Sequence, residues 1–309
     1  MTFAAARTAG LIELSQFLGF APQHIFYLAQ GSDRLYFRFS IPKSNGGERK
    51  IVAPRQELKG VQKVILEKLL ADIPVSSHCA AYVKGKSVVD AARQITGGKA
   101  VLNMDIKDFF PSISARRIFG LFRSYHFSTT SSYILTQLTT YKGALAQGAP
   151  TSPYLSNLIF QQADIRLAGL AEMWSLSYLR YSDDLYLFGP RDFRHKILLE
   201  PVRRIIRESG FELNTRKTKY FRCGTPRFTL GLQTAGSKPE FSRHQKRLYR
   251  AAFFNASHRL SWGRENLSQL RGMAEWHKSV YGADETYREY QNIIRNIQSL
   301  RLHDVYSTR

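Results

Sequence analysis

Cysteine is almost missing from this chain: Cys79 and Cys223 are the only two in 309 residues, far apart and without C-x-x-C spacing. That excludes a disulfide framework and a cysteine zinc site, and fits a reducing compartment. No run of 18 apolar residues occurs, which excludes a spanning helix. The opening MTFAAARTAGLIELSQF lacks the basic-then-apolar order of a signal peptide. Internal repeats and low-complexity tracts are absent too. Negative charge is scarce: 24 Asp and Glu stand against 45 Lys and Arg, a net charge of +21 with a pI near 10.1. These features predict a cytoplasmic protein without a membrane, whose partner is a polyanion such as nucleic acid. A basic membrane-surface protein is the rival reading of charge alone. The excess is uneven, with 13 Lys and Arg against 4 acidic residues between Glu200 and Arg250.

Apolar residues are plentiful, 43% of the chain with 20 Phe and 16 Tyr, enough for a sizeable core. Leu11, Leu14, Phe17 and Leu18 recur at helical period, and a second short helix follows the Ala21-Pro22 break. YFRFSIP and RKIVAP alternate around SNGGE, which predicts a hairpin with basic residues on both arms. Leu58, Val61, Ile65 and Leu69 mark an amphipathic helix. Ala100–Met104 is a short buried strand ending in Asp105, and helical spacing runs from Ile113 to Thr140 and from Tyr154 to Leu170. Leu176–Tyr181 and Leu185–Phe188 are apolar strands joined by Ser182-Asp183-Asp184. Val202–Ser209 is helical, Glu212–Asn214 and Arg227–Leu232 are extended, and helix dominates after Pro239. The expected fold class is α+β, a sheet backed by helices at residues 1–238 and a helical region at 239–309.

Two acidic sites are flanked by strongly apolar sequence, NMDIKDFFPSI (Asn103–Ile113) and RYSDDLYLF (Arg180–Phe188). A carboxylate at the end of a buried strand is costly unless it is paired or bound to a cation. Carboxylates from two strands set side by side repel, and a pair of divalent ions removes that repulsion. Two such ions roughly 3.5–4 Å apart activate an attacking hydroxyl and stabilise a leaving pyrophosphate. Hard oxygen ligands favour Mg²⁺. Taken alone, the Asp-Asp pair is more often turn chemistry, and Asp105 more often a helix cap or turn residue. A third segment, QGAPTSP (Gln147–Pro153), lies between them and changes the reading.

In that order the three segments resemble motifs A, B and C of reverse transcriptases. DIKDFFPSI and YKGALAQGAPTSPYLSNLIF are most similar to bacterial retron enzymes, and the likeness runs from about Arg38 to at least Leu232. The resemblance implies a right-hand polymerase with fingers, palm and short helical thumb, using two Mg²⁺ ions. It makes Asp105, Asp183 and Asp184 the catalytic carboxylates and the Ile106 carbonyl a further metal ligand. Phe110 matches the steric gate against a ribose 2′-OH, with Phe109 an ordinary core aromatic. Gln147 and Gly148 match the loop that shapes the nucleotide and template pocket. Ile41–Pro54 is similar to the fingers hairpin, with Lys43 and Arg49 gripping the triphosphate. NTRKTKYF (Asn214–Phe221) resembles motif D, making Lys217 or Lys219 the proton donor to pyrophosphate.

In the region taken as thumb, Arg243, Lys246, Arg247 and Arg250 recur at helical spacing as a basic face for RNA or duplex phosphates. The interleaved Tyr249, Phe253 and Phe254 read as core. Two departures from the retron pattern stand out: DAARQ (Asp90–Gln94) replaces NAxxH, and TLG (Thr229–Gly231) replaces VTG. The family further implies a structured noncoding RNA as primer and template, dNTP substrates, and priming from a guanosine 2′-OH. It also implies a small RNA-linked DNA product and an effector protein in antiphage defence. Too little sequence follows the thumb for an RNase H domain. The rivals are another bacterial reverse transcriptase, of group II intron or unclassified defence type, and a non-catalytic RNA-binding scaffold. The intact aspartates count against the scaffold, and the lack of maturase or endonuclease sequence counts against the intron type.

Overall fold

Leu14, Leu18, Ile25 and Leu28 are fully buried at helical spacing, and the computed structural model, which describes residues 10–42 and 46–306, opens with two helices that carry them. These are α1 (Leu11–Leu18), ended by Gly19 in the left-handed conformation at φ 85°, and α2 (Pro22–Gly31), begun by Pro22. The predicted hairpin follows as antiparallel strands β1 (Tyr36–Pro42) and β2 (Glu48–Pro54), in register from Tyr36 opposite Pro54 to Pro42 opposite Glu48. Helix α3 (Gln56–Ile65) runs on into a π turn at Leu66–Leu70 and buries Leu58, Val61, Ile65 and Leu69.

Helix α4 (Val88–Thr96) precedes β3 (Ala100–Asp105), and the helical run predicted over 113–140 is two helices, α5 (Ala115–Ser124) and α6 (Thr129–Thr139). Each begins with a serine N-cap, Ser114 and Ser128, and these caps divide a continuous apolar pattern into two. Helix α7 (Ser152–Met173) then leads into the antiparallel pair β4 (Ser177–Tyr181) and β5 (Asp184–Gly189). Helix α8 (His195–Glu208) starts about two turns earlier than its apolar spacing announced and keeps Pro201 inside it. With β6 (Lys219–Phe221), the central sheet has the order β4-β5-β3-β6. Leu213 joins it by a single bridge to Ile106.

The extended run predicted at Arg227–Leu232 is broken by a turn at Leu230-Gly231, both at positive φ, into β7 (Phe228–Thr229) and β8 (Leu232–Gln233). Four helices follow: α9 (Arg243–His258), α10 (Leu260–Glu265), α11 (Leu267–Tyr281) and α12 (Glu285–Tyr306). The architecture is α+β, helices with small sheets.

The chain divides into two units. The first draws its described residues from Met1–Ser87, Val101–Gly189 and Phe193–Tyr220, the second from Val88–Ala100, Pro190–Asp192 and Phe221–Arg309. One large core, from Leu14 to Leu213, belongs to the first unit. The second has a bundle core around Phe253, Leu270, Tyr290 and Ile297, and a smaller cluster of Val89, Ala92, Leu232, Phe241 and Val280. That smaller cluster gathers the two stretches that depart from the retron pattern, since Leu230 packs on it beside Ala92. Arg227, buried, closes the end of α4 by donating to the carbonyls of Gly98 at 2.8 Å and Lys99 at 3.2 Å. Among the described residues no helix is long and apolar enough to cross a membrane.

Candidate active site

β3 is buried along its length apart from the half-buried Asn103, and Asp105 is the residue at which that strand ends. The β4–β5 hairpin turns in two residues, Ser182 and Asp183, so Asp184 is already the first residue of β5, opposite Tyr181. Ser182 sits at φ 59°, as the first position of a tight hairpin turn demands. The strand end and the hairpin tip are tied by one backbone bond, Ile106 N–H donating to the Asp183 carbonyl at 2.9 Å. On its other side Asp105 is fixed by Asn214 N–H donating to its carbonyl at 2.8 Å. In extended backbone a residue's N–H and C=O leave the same edge, so the Ile106 carbonyl faces the hairpin tip.

Three carboxylates therefore share one neighbourhood with a single ammonium. Lys217 donates to Asp105 Oδ2 at 2.7 Å, and this bond raises the lysine above its ordinary range. Asp183 is pushed up by burial, with the Asp105 charge adding to it. Asp184 is pushed up to about 7, first by burial and then by the charges of Asp183 and Asp105, which Lys217 only partly opposes. The Tyr186 hydroxyl bonds Asp184 from the core side and is itself raised by burial and then by the Asp184 charge. Such a set lacks positive charge.

Phe109 is core, packed against Phe160 and Phe211 with ring centroids 5.7 Å away in each case, while Phe110 stands half-buried beside it at 5.5 Å. The loop before α7 is bound to the β1–β2 hairpin: Val52 N–H donates to the Gln147 carbonyl at 3.0 Å. Gly148, at φ 130°, lies so close to β2 that a Cβ would meet Ile51 Cγ2 and the Val52 carbonyl oxygen at 2.8 Å. Arg49 lies on the hairpin face that carries Ile51, two residues along, and is exposed. Lys43 lies outside the described residues. Lys219 is exposed on β6, and of the two lysines expected in motif D it is Lys217 that reaches the carboxylates, bonded to Asp105.

The sequence profile described as "Reverse transcriptase (RNA-dependent DNA polymerase)" matches residues 41–263. The chain belongs to the reverse transcriptase family. It is 35% identical to the Retron Mx65 reverse transcriptase of Myxococcus xanthus over 240 residues, 71% of this chain and 55% of that protein. Retron Mx162 reverse transcriptase of the same organism is 32% identical over 274 residues, 77% of this chain and 56% of that one. Retron Ec86 reverse transcriptase of Escherichia coli is 29% identical over 267 residues, 85% of this chain and 81% of that one. Within the family the chain is of the retron type. It spans about half the length of the two Myxococcus relatives.

In this reverse transcriptase the donor chemistry fits divalent cations: hard carboxylate oxygens, mutually repelling, with one lysine as counter-charge. Among the described residues no group of three or more His, Cys, Asp or Glu is arranged to hold a metal ion by itself. Mg²⁺ commonly takes one or two carboxylates and completes its shell with substrate phosphates and water, so a partial set suits it.

Sequence reasoning missed the support beneath the hairpin. Arg180 and Asp164 are both fully buried and form a two-armed pair, Nε and Nη2 each 2.8 Å from an Asp164 oxygen. Asn157 and Asp164 lie seven residues apart on α7, two helical turns on one face, and that spacing was the available signal.

In the second unit Arg243, Arg247 and Arg250 are exposed on α9, whereas Lys246 is paired with Glu240 at 2.8 Å. Lys246 and Arg250 also line a cleft of about 540 Å³ walled by Tyr249, Phe253 and Tyr290. Phe253 is core, as expected of it, Tyr249 is half-buried, and Phe254 is exposed, its ring stacked on His258 at 4.1 Å rather than on the core.

Proposed function

We propose that this chain is an RNA-directed DNA polymerase that makes a small RNA-linked DNA from a structured noncoding RNA, starting at a guanosine 2′-OH. The single observation that carries the reading is the Ile106–Asp183 backbone bond at 2.9 Å, which sets the carboxylates of motifs A and C side by side. In this reading the β1–β2 hairpin belongs to the fingers, the β4-β5-β3-β6 sheet is the palm, and the helices from α9 onward are the thumb. The family's use of such DNA implies an effector protein acting with the enzyme in phage defence.

Asp105, Asp183, Asp184 and the Ile106 carbonyl would hold two Mg²⁺ ions. When bound, these ions supply Lewis acidity to the attacking hydroxyl and to the phosphate. The remaining work falls to the chain. Phe110 occupies the space beside the sugar that a 2′-OH would need. Gln147 and Gly148 form the wall against which the base pair seats, and Arg49 and Lys43 oppose the triphosphate charge. Lys217 holds a proton at Nζ, raised by Asp105, and delivers it as pyrophosphate leaves. Arg243, Arg247 and Arg250 take phosphates of RNA or duplex.

Primer extension with wild type, Asp183→Ala and Asp184→Ala is the test. Mg²⁺-dependent synthesis by the wild type and its loss in both variants is expected. Activity surviving both changes would overturn the assignment. Sequencing the nucleic acid that copurifies should return one abundant branched RNA–DNA species, and a broad mixture of transcripts would remove the dedicated template.

A further inference from the structure

The hairpin tip is held from below and from the side, and both holds act on Ser182. Arg180 Nη1 donates to the Ser182 carbonyl at 3.1 Å. The Ser182 hydroxyl meets the Tyr82 hydroxyl at 3.2 Å. The arginine has no freedom of its own. Besides its two arms on Asp164, Nη1 donates to Asn157 Oδ1 at 3.0 Å, and the guanidinium lies over the Phe160 ring at 4.8 Å. Asp164 Oδ1 also accepts from the Tyr178 hydroxyl at 2.8 Å, and Asn157 Nδ2 donates to the Ala81 carbonyl at 2.9 Å. Even the arginine's backbone is fixed, its N–H on the His78 carbonyl and its C=O on the Ala80 N–H, both at 2.9 Å.

We infer that Arg180, locked by Asp164 and Asn157, is a positioning residue that sets where Asp183 and Asp184 stand. Three observations carry this. Ser182 has a side chain yet adopts φ 59°, a conformation that persists only where its surroundings over-determine it. The next two residues in the chain are the carboxylates, so a shift of the clamped carbonyl is passed directly to them. A fully buried guanidinium–carboxylate pair is also a poor way to gain stability alone, because desolvation offsets most of its attraction. Holding a backbone carbonyl in place is something an apolar pair of the same volume cannot do.

The inference rests on the polymerase reading, and wild-type primer extension separates the two: an inactive wild type sinks that reading, while an active one makes the variants decisive. Arg180→Lys keeps a charge for Asp164 but has no planar fork to reach Asp164, Asn157 and Ser182 together. Arg180→Met with Asp164→Leu fills the space with apolar atoms. For each, kcat per active molecule is taken from steady-state rates with the active fraction counted by a pre-steady-state burst, and KM for dNTP is measured beside Tm.

Misplacement of the carboxylates by about 1 Å should lower kcat by roughly 10- to 100-fold with KM changed less than about threefold. In the double variant Tm should stay within a few degrees of wild type. Either folded variant with kcat per active molecule within twofold of wild type would overturn the inference. So would a loss found only in the active fraction, which is what a purely structural pair predicts. The lysine variant keeps the test decisive where the double variant does not fold.

Discussion

Two carboxylate–cation pairs adjoin one hairpin tip, and they are built on opposite plans. Asp164 and Arg180 are both at zero exposure, joined by two 2.8 Å bonds, with their spare donors and acceptors met by Asn157, Tyr178 and Ser182. Asp105 is nearly as buried, with a side chain 9% exposed, but its partner Lys217 is 61% exposed and makes one bond. A cation in the first pair cannot leave without stranding a charge in the core. The lysine of the second, already mostly in solvent, can leave as soon as another cation takes its place on the carboxylate. Under the proposed function, the first pair belongs to the frame and the second to the chemistry.

The largest expected effects break this comparison directly. Asp105→Asn removes a proposed metal ligand and should lower polymerisation by about a thousandfold, several kcal/mol of transition-state stabilisation, with Tm unchanged or higher. Asp164→Asn leaves the buried guanidinium without its counter-charge and should destabilise by about 3–5 kcal/mol, a fall in Tm of roughly 10 °C. Equal loss of Tm in both variants would erase the distinction.

Next in size is Lys217→Met, for which the rate should drop about a hundredfold. Calorimetry should find Tm within a degree or two, because the lysine is mostly exposed.

Asp184 sharpens the same contrast through pH. Its carboxyl is pushed up to about 7 by burial and then by Asp183 and Asp105. Between the ordinary carboxylate range and pH 7, the folded chain therefore holds a proton that the unfolded chain has released. Folding stability without divalent metal must fall as pH rises through that window. Asp184→Asn should match wild type near pH 4 and melt a few degrees higher at pH 8, while making no DNA. A flat difference across pH would contradict the shift.

Smallest is the surface pair Lys246–Glu240, each side chain 40% exposed. Glu240→Gln should move Tm by less than about 1 °C. It frees a cation beside Arg250, so the salt dependence of RNA binding should steepen by up to about one unit of log–log slope.

How much of this was legible beforehand depended on whether a residue's partner lay nearby in sequence. Asp105 and the Asp183-Asp184 pair announced themselves because each interrupts apolar strands, and the family motifs gave their order. Lys217 could be told from Lys219 only once Asn214 was seen bonded to the Asp105 carbonyl, which carries the motif D lysine to the carboxylate. Arg180 looked like one more basic residue in a basic chain. Its burial follows from Asp164, 16 positions earlier in the middle of a long helix, and no local pattern couples them. The break of the 113–140 run into two helices went unread for a plainer reason, since Ser128 is a cap and the apolar period runs straight through it.

Gly148 has a consequence for motion. Since even a methyl group there would collide with β2, and Val52 is bonded to Gln147, the loop and the base of the β1–β2 hairpin form a single mechanical part. The hairpin cannot swing from its root as a gate. Any travel of the hairpin relative to that loop must come from bending of its two strands beyond Ile51 and Val52.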